Sequence, residues 1–159
     1  MSKEVKTNAM RFLDTKKIPY KFKIYEVGEF IDGVQATEIS GTPLELSYKT
    51  LVTLGKSGGH FVFVIPVDAE LDMKKAAKAA GEKSVELIPV KDITAVTGYV
   101  RGGCSPLGMK KAYPTVYDAS AGNFDEIYVS GGRIGLTLKV PLEPLLKVTN
   151  GKLADITMK

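Results

Sequence analysis

The stretch HFVFVIP, residues 60–66, decides the fold. From Phe61 to Pro66 it is apolar without a break, where a half-exposed strand would alternate. An unbroken run of β-branched and aromatic residues is the signature of a strand covered on both faces. It therefore predicts a strand buried on both faces.

Working outward, GKSGG (55–59) reads as a strand-to-strand turn before this strand, and the strand that carries Lys49 in SYKTLV (47–52) precedes it. Downstream, a helix starts near Asp68 or Asp72, both suitable N-caps, and ends at Gly81. VELI (85–88) reads as a short strand, and DITAVT (92–97) as a short helix capped by Gly98. TVYD (115–118) and EIYVS (126–130) are strands; Gly131–Gly132 is a two-residue hairpin signal leading into RIGLTLKV (133–140). PLEPLLKVTNG (141–151) is a helix stopped at Asn150–Gly151, and LADITM (153–158) is a last strand. Before the central hairpin, Val5, Ala9, Phe12 and Leu13 recur at helical spacing and predict an amphipathic helix over 4–16, stopped by Pro19. YKFKIYEV (20–27) alternates as a half-buried strand, and QATEIS (35–40) is a short helix ending at Gly41. Strands outnumber helices and do not alternate with them regularly. That predicts an α+β fold, a mixed or largely antiparallel sheet with helices packed around it, rather than a doubly wound one.

The 159 residues suffice for one domain spanning 1–159. Hydrophobic content of 44% and charged content of 25% are ordinary for a globular chain, and a net charge of +4 permits a polyanionic partner without requiring one. Cys104 is the single cysteine, so no intramolecular disulfide forms, and a reducing cytoplasm is the expected compartment. No apolar run approaches the roughly 20 residues of a membrane span, and MSKEVKTNAM has no apolar signal-peptide core.

Several chemistries are excluded. His60 is the single histidine and reads as a strand-entry residue; no G-x-S-x-G elbow accompanies it. One Cys and one His cannot build the usual zinc site, so neither metal nor cofactor is expected. GKSGG is not a phosphate loop, because the glycine required five residues before Gly55 is Thr50. Cys104 has no evident base beside it and reads as a small loop residue.

Two features remain. GYVRGGCSPLGMKK (98–111) carries four glycines and a proline within residues 98–108, a shaped loop whose N–H groups can cradle an anion or a carbonyl oxygen, or merely a long surface turn. In SYKTLV (47–52), Lys49 interrupts a strand. Tyr48, Thr50, Val52 and Leu54 share one face of it; Lys49, Leu51 and Thr53 share the other. From the hexapeptide alone, an exposed lysine blunting an edge strand is the leading reading. A cation aimed into a pocket is the other.

YKTLV (48–52), GYVRGGCSPLG (98–108) and YVSGGRIGL (128–136), in this order and spacing, resemble the YbaK/EbsC-type aminoacyl-tRNA deacylases, relatives of the editing domain inserted in bacterial prolyl-tRNA synthetase. The likeness runs from IPYKFKIYE (18–26) to KLADITM (152–158). It implies a mixed sheet curled into a barrel-like form and ringed by helices. It implies removal of cysteine mischarged onto tRNA(Pro), and also from tRNA(Cys), with prolyl-tRNA synthetase as a companion and neither membrane nor DNA as a partner. The family's key lysine falls on Lys49, the catalytic candidate. Its substrate-binding positions fall on Tyr25, on Gly102 with Gly103 beside it, and on Ser130. Thr137 stands where some members carry an aspartate, a departure that weakens any claim that a carboxylate there is needed. Cleavage in the family is thought to be substrate-assisted, the cysteine thiol attacking its own carbonyl. A deacylase for alanine or another small amino acid, and a non-catalytic tRNA- or synthetase-binding module, are the competing readings.

Overall fold

The computed structural model describes residues 6–26 and 33–158. Two sheets carry the fold. The larger has strand order β4-β2-β3-β5-β8, with β2 Tyr48–Gly55, β3 His60–Pro66, β4 Val85–Leu87, β5 Thr115–Asp118 and β8 Lys152–Ala154. The smaller has order β1-β7-β6, with β1 Lys21–Ile24, β6 Glu126–Ser130 and β7 Leu136–Pro141. β3 pairs antiparallel with β2 and parallel with β5, and β8 adds parallel to β5, so the sheet is mixed.

The unbroken apolar run of β3 has the reason its sequence implies. Val62 and Val64 bury into a core shared with Ile127, Val129, Leu138 and Leu145. Phe63 and Ile65, on the opposite face, bury into a second core with Ala76 and Ala77 of α3 (Met73–Ala80) and with Ile156. Fully burying each such side chain contributes about 1.5–3 kcal/mol. α3 begins at Asp72, whose carboxylate accepts from the Lys74 and Lys75 amides at 3.0 Å, and stops at Gly81 in the left-handed region. α4 (Ile93–Thr97) stops the same way at Gly98. α5 (Leu142–Thr149) stops at Asn150.

Some expectations need correction. α1 is Asn8–Thr15, N-capped by Thr7, and it stops before Pro19: Lys17 takes a left-handed φ of 59° while Ile18 N–H bonds back to Leu13 O. β1 is shorter than 20–27 and exposed along its length, Ile24 at 63%, because it is an edge strand paired only to β7. Residues 4, 5 and 27 of these two expected elements lie outside the described residues. α2 spans Gly33–Ser40. The two-residue hairpin at Gly131–Gly132 is instead a wider turn. Gly131 N–H bonds Leu136 O, Ser130 faces Thr137, and β7 starts only at Leu136. Gly135, at φ 85°, bends the chain before that strand. The last strand is Lys152–Ala154, with Thr157 forming an isolated bridge to Leu71.

The edge of β2 creates the site. β4 pairs only with Thr53, Leu54 and Gly55, and Ile88 N–H adds a bond to Val52 O. At the other end Ser47 makes a parallel bridge to Tyr128 of β6, which joins the two sheets without closing a barrel. Residues 48–51 therefore lie in a fork between β4 and β6. Among the described residues no helix is long and apolar enough to cross a membrane.

Candidate active site

A cavity of about 470 Å³ opens in this fork. Because the edge of β2 is uncovered there, residues from both of its faces line the cavity: Tyr48, Thr50 and Val52 from one, Lys49 and Leu51 from the other. Thr53, on the same strand face as Lys49, does not line it; it is fully buried, and its hydroxyl donates to Phe61 O at 3.1 Å. Tyr128 and Ser130 come from β6, Leu136 and Thr137 from β7, Leu87 and Ile88 from the β4 side.

Lys49, Tyr25, Gly102, Ser130 and Thr137, read from sequence as site positions, are brought together on this one wall. Tyr25 is anchored through its amide, which donates to Gly135 O at 2.8 Å, and burial raises its phenol pKa. Ser130 Oγ accepts from Gly132 N–H at 3.3 Å, and Thr137, directly opposite it in register, donates to Val129 O at 3.1 Å. Gly103 is not brought to the wall. Its N–H bonds Val100 O at 2.9 Å, and a Cβ there would lie 2.8 Å from the Arg133 backbone. Gly102 lines the cavity at φ 84°, and among the described residues no hydrogen bond occupies its N–H.

The glycine loop is held from both ends. Tyr99 is buried, and its hydroxyl donates to Leu107 O at 2.6 Å. Gly108 packs where a Cβ would meet Asn8 O at 2.8 Å, and Gly132 packs where one would meet the Tyr99 ring at 2.9 Å. Cys104 lines the cavity from this loop. Burial pushes its thiol up to about 11, against a weaker downward pull from Thr97, so at neutral pH it is protonated and a poor nucleophile.

Arg101, Tyr48, Thr50 and Tyr128 also line the cavity and were not singled out from sequence. Arg101 sits inside the glycine loop that was. Tyr48 and Thr50 flank Lys49, but only an open strand edge brings both faces to one wall. Among the described residues, Lys49 and Arg101 are the charged ones that line the cavity, and no carboxylate does. Among the described residues no group of three or more His, Cys, Asp and Glu is placed to hold a metal. The arrangement offers cations, hydroxyls and the Gly102 backbone N–H. It can hold a developing anion, and among the described residues it supplies no nucleophile–base pair.

A family model described as the aminoacyl-tRNA editing domain matches residues 32–148. The chain belongs to that family. A curated relative from Enterococcus faecalis, named "Putative Cys-tRNA(Pro)/Cys-tRNA(Cys) deacylase EbsC", is 45% identical over 157 residues, covering 97% of this chain and 94% of the relative. The editing-domain fold recurs in solved structures. A hypothetical protein superposes with a TM-score of 0.85 at 23% identity over 95% of this chain and 99% of its own. A protein described as "a putative trans-editing enzyme for prolyl tRNA synthetase" superposes with a TM-score of 0.81 at 20% identity over 98% of this chain and 100% of its own.

Proposed function

We propose that this editing-domain protein is a trans-acting aminoacyl-tRNA deacylase that clears cysteine from tRNA(Pro), and from tRNA(Cys), alongside prolyl-tRNA synthetase in the cytoplasm. The observation that carries the reading is the cavity itself. Lys49, Gly102 and Ser130 share its wall, with no nucleophile–base pair among the described residues. A cavity of this size falls in the roughly 300–1,000 Å³ range of small-molecule sites, enough for an amino acid and the terminal nucleoside but not for a tRNA body. With a net charge of +4 the chain has few phosphate contacts to offer, so tRNA identity is supplied by the synthetase.

The missing nucleophile is the substrate's own. The cysteine thiol gives up its proton to solvent water, and its sulfur bonds to its own ester carbonyl carbon. The carbonyl oxygen becomes an oxyanion, facing the Lys49 ammonium and the Gly102 N–H. The ester C–O bond then breaks, the ribose oxygen leaves and takes a proton, and the amino acid departs as a cyclic thioester that water opens. Preorganised donors around a developing oxyanion are worth about 10²–10³ in rate each. Tyr25, Ser130 and Thr137 shape the remaining wall around the aminoacyl ribose.

Deacylation of Cys-, Ser-, Ala- and Pro-tRNA(Pro) side by side tests this. Cys-tRNA(Pro) is cleaved, and Ser-tRNA(Pro), nearly isosteric but lacking the thiol, is spared. Equal rates for Cys and Ser would remove the thiol mechanism. Preferential cleavage of Ala-tRNA(Pro) would make the protein an alanine deacylase, and binding without turnover a non-catalytic module.

A further inference from the structure

The serine and threonine hydroxyls on the cavity wall have partners, with one exception. Thr37 donates to Val34 O at 2.7 Å. Ser40, Thr42 and Ser47 form a chain of hydroxyl contacts at 3.1 Å that ends on Pro43 O at 2.7 Å. Ser130 and Thr137 are engaged as described above. The Thr50 hydroxyl is buried and has no hydrogen-bond partner among the described residues. Leaving a buried hydroxyl unpaired costs about 1–3 kcal/mol, so such a group in a folded protein needs an explanation. A valine at this β-strand position would fill the same space without that penalty.

Resting on the deacylase reading, we propose that Thr50 is a substrate-binding residue whose hydroxyl receives the α-amino group of the aminoacyl ester. Thr50 is sequence neighbour to Lys49 but lies on the opposite face of β2, opposite Val64 in register. The two side chains therefore approach a ligand at the open strand edge from different sides. The cationic side, with Lys49, suits the carbonyl oxygen. The polar group then left on a small aminoacyl ester is its amine. Among the described residues the lining offers that amine no carboxylate, and Lys49 and Arg101 disfavour an ammonium beside them. A hydroxyl, which both donates and accepts, suits a neutral amine. The hydroxyl, buried as it stands, meets the amine after one χ1 step, which exchanges its position with that of the methyl group.

The test is a cycle of two substrates and three proteins. Wild type, Thr50→Val and Thr50→Ser are assayed on tRNA(Pro) charged with cysteine or with 3-mercaptopropionate, which keeps the thiol and lacks the amine. Thr50→Val should lower kcat/KM on the cysteinyl ester by about tenfold, or about 1.4 kcal/mol, and leave the deamino ester within about twofold. Thr50→Ser should restore the cysteinyl rate. Thermal unfolding of Thr50→Val should occur no lower than wild type, which a purely structural threonine would not allow. An equal penalty on both esters, or none on either, overturns the assignment. Titration with uncleavable 3′-cysteinylamino-3′-deoxyadenosine reads Thr50 apart from turnover. At least about fivefold weaker binding by Thr50→Val supports the contact. Equal affinities, or no binding by wild type, overturn it. A wild type that binds the amide but cleaves no ester refutes the deacylase reading while leaving Thr50 supported by the titration.

Discussion

The Tyr99 hydroxyl donates to the Leu107 carbonyl at 2.6 Å and so ties the two ends of the loop that carries Gly102. Both residues are buried, so Tyr99→Phe leaves the carbonyl unpaired. Stability should fall by about 1–3 kcal/mol in denaturant titrations. Gly102 should then be held less firmly, and kcat should fall with it. A variant as stable as wild type would show that the loop is fixed by its glycine contacts alone.

The same bond has a consequence at high pH. Burial raises the phenol pKa of Tyr99 and of Tyr117 above the ordinary value near 10. Raised folded pKa values mean that the stabilisation is fully present below pH 10 and is lost as pH rises past the unfolded value toward the folded ones. Tyr117, the more deeply buried, should contribute a slope of about 1.4 kcal/mol per pH unit above pH 10. Urea midpoints measured from pH 8 to 11.5 should stay flat and then drop, and Tyr117→Phe should flatten the drop.

How much of this was legible in the sequence depends on the range of the signal. Asp72, Gly81 and Gly98 mark helix ends through bonds to their own neighbours, and each was readable. So was β3, whose two buried faces write an unbroken apolar run. The cavity was not readable from pattern. It exists because Ser47 bridges to Tyr128 while β4 pairs only with the far end of β2, and neither fact has a local signature. Gly102 and Gly103 are alike in sequence, yet one lines the cavity and the other packs on Arg133. The hairpin was misread because GG is a turn signal whatever its length, and the bend that sets the length is Gly135.

Lys49 carries the sharpest test of the site. Lys49→Ala should lower deacylation by about 10²-fold or more, as for loss of one oxyanion partner. Lys49 makes no salt bridge among the described residues, so thermal unfolding should barely move. Lys49→Arg should also be impaired, since a planar fork does not replace a compact ammonium. Wild-type turnover by Lys49→Ala would make it a surface lysine.

Cys104 lines the cavity with its thiol held protonated by burial. Cys104→Ala should therefore keep activity within about tenfold, or roughly 1.4 kcal/mol of barrier. Alkylation by iodoacetamide at pH 7.5 should be slow compared with a free thiol. Rapid labelling coupled to loss of activity would show that it acts as a nucleophile.

Gly135 supports the site from outside it. Its φ of 85° disfavours any side chain, and a Cβ would lie 2.6 Å from Tyr25 O. The same residue's carbonyl accepts from the Tyr25 amide at 2.8 Å, so the turn before β7 positions a cavity tyrosine. Gly135→Ala combines left-handed strain of about 1–2 kcal/mol with a clash that pushes Tyr25 away. Thermal unfolding should drop by several degrees, about 2–4 °C per kcal/mol for a chain of this size. Because Tyr25 walls the cavity without joining the oxyanion, KM should rise more than kcat falls. The comparison variant is Gly103→Ala, which clashes with the Arg133 backbone but not with a wall residue. It should lose similar stability and keep its KM. If both variants changed KM equally, loosening of the whole turn, rather than displacement of Tyr25, would be the cause.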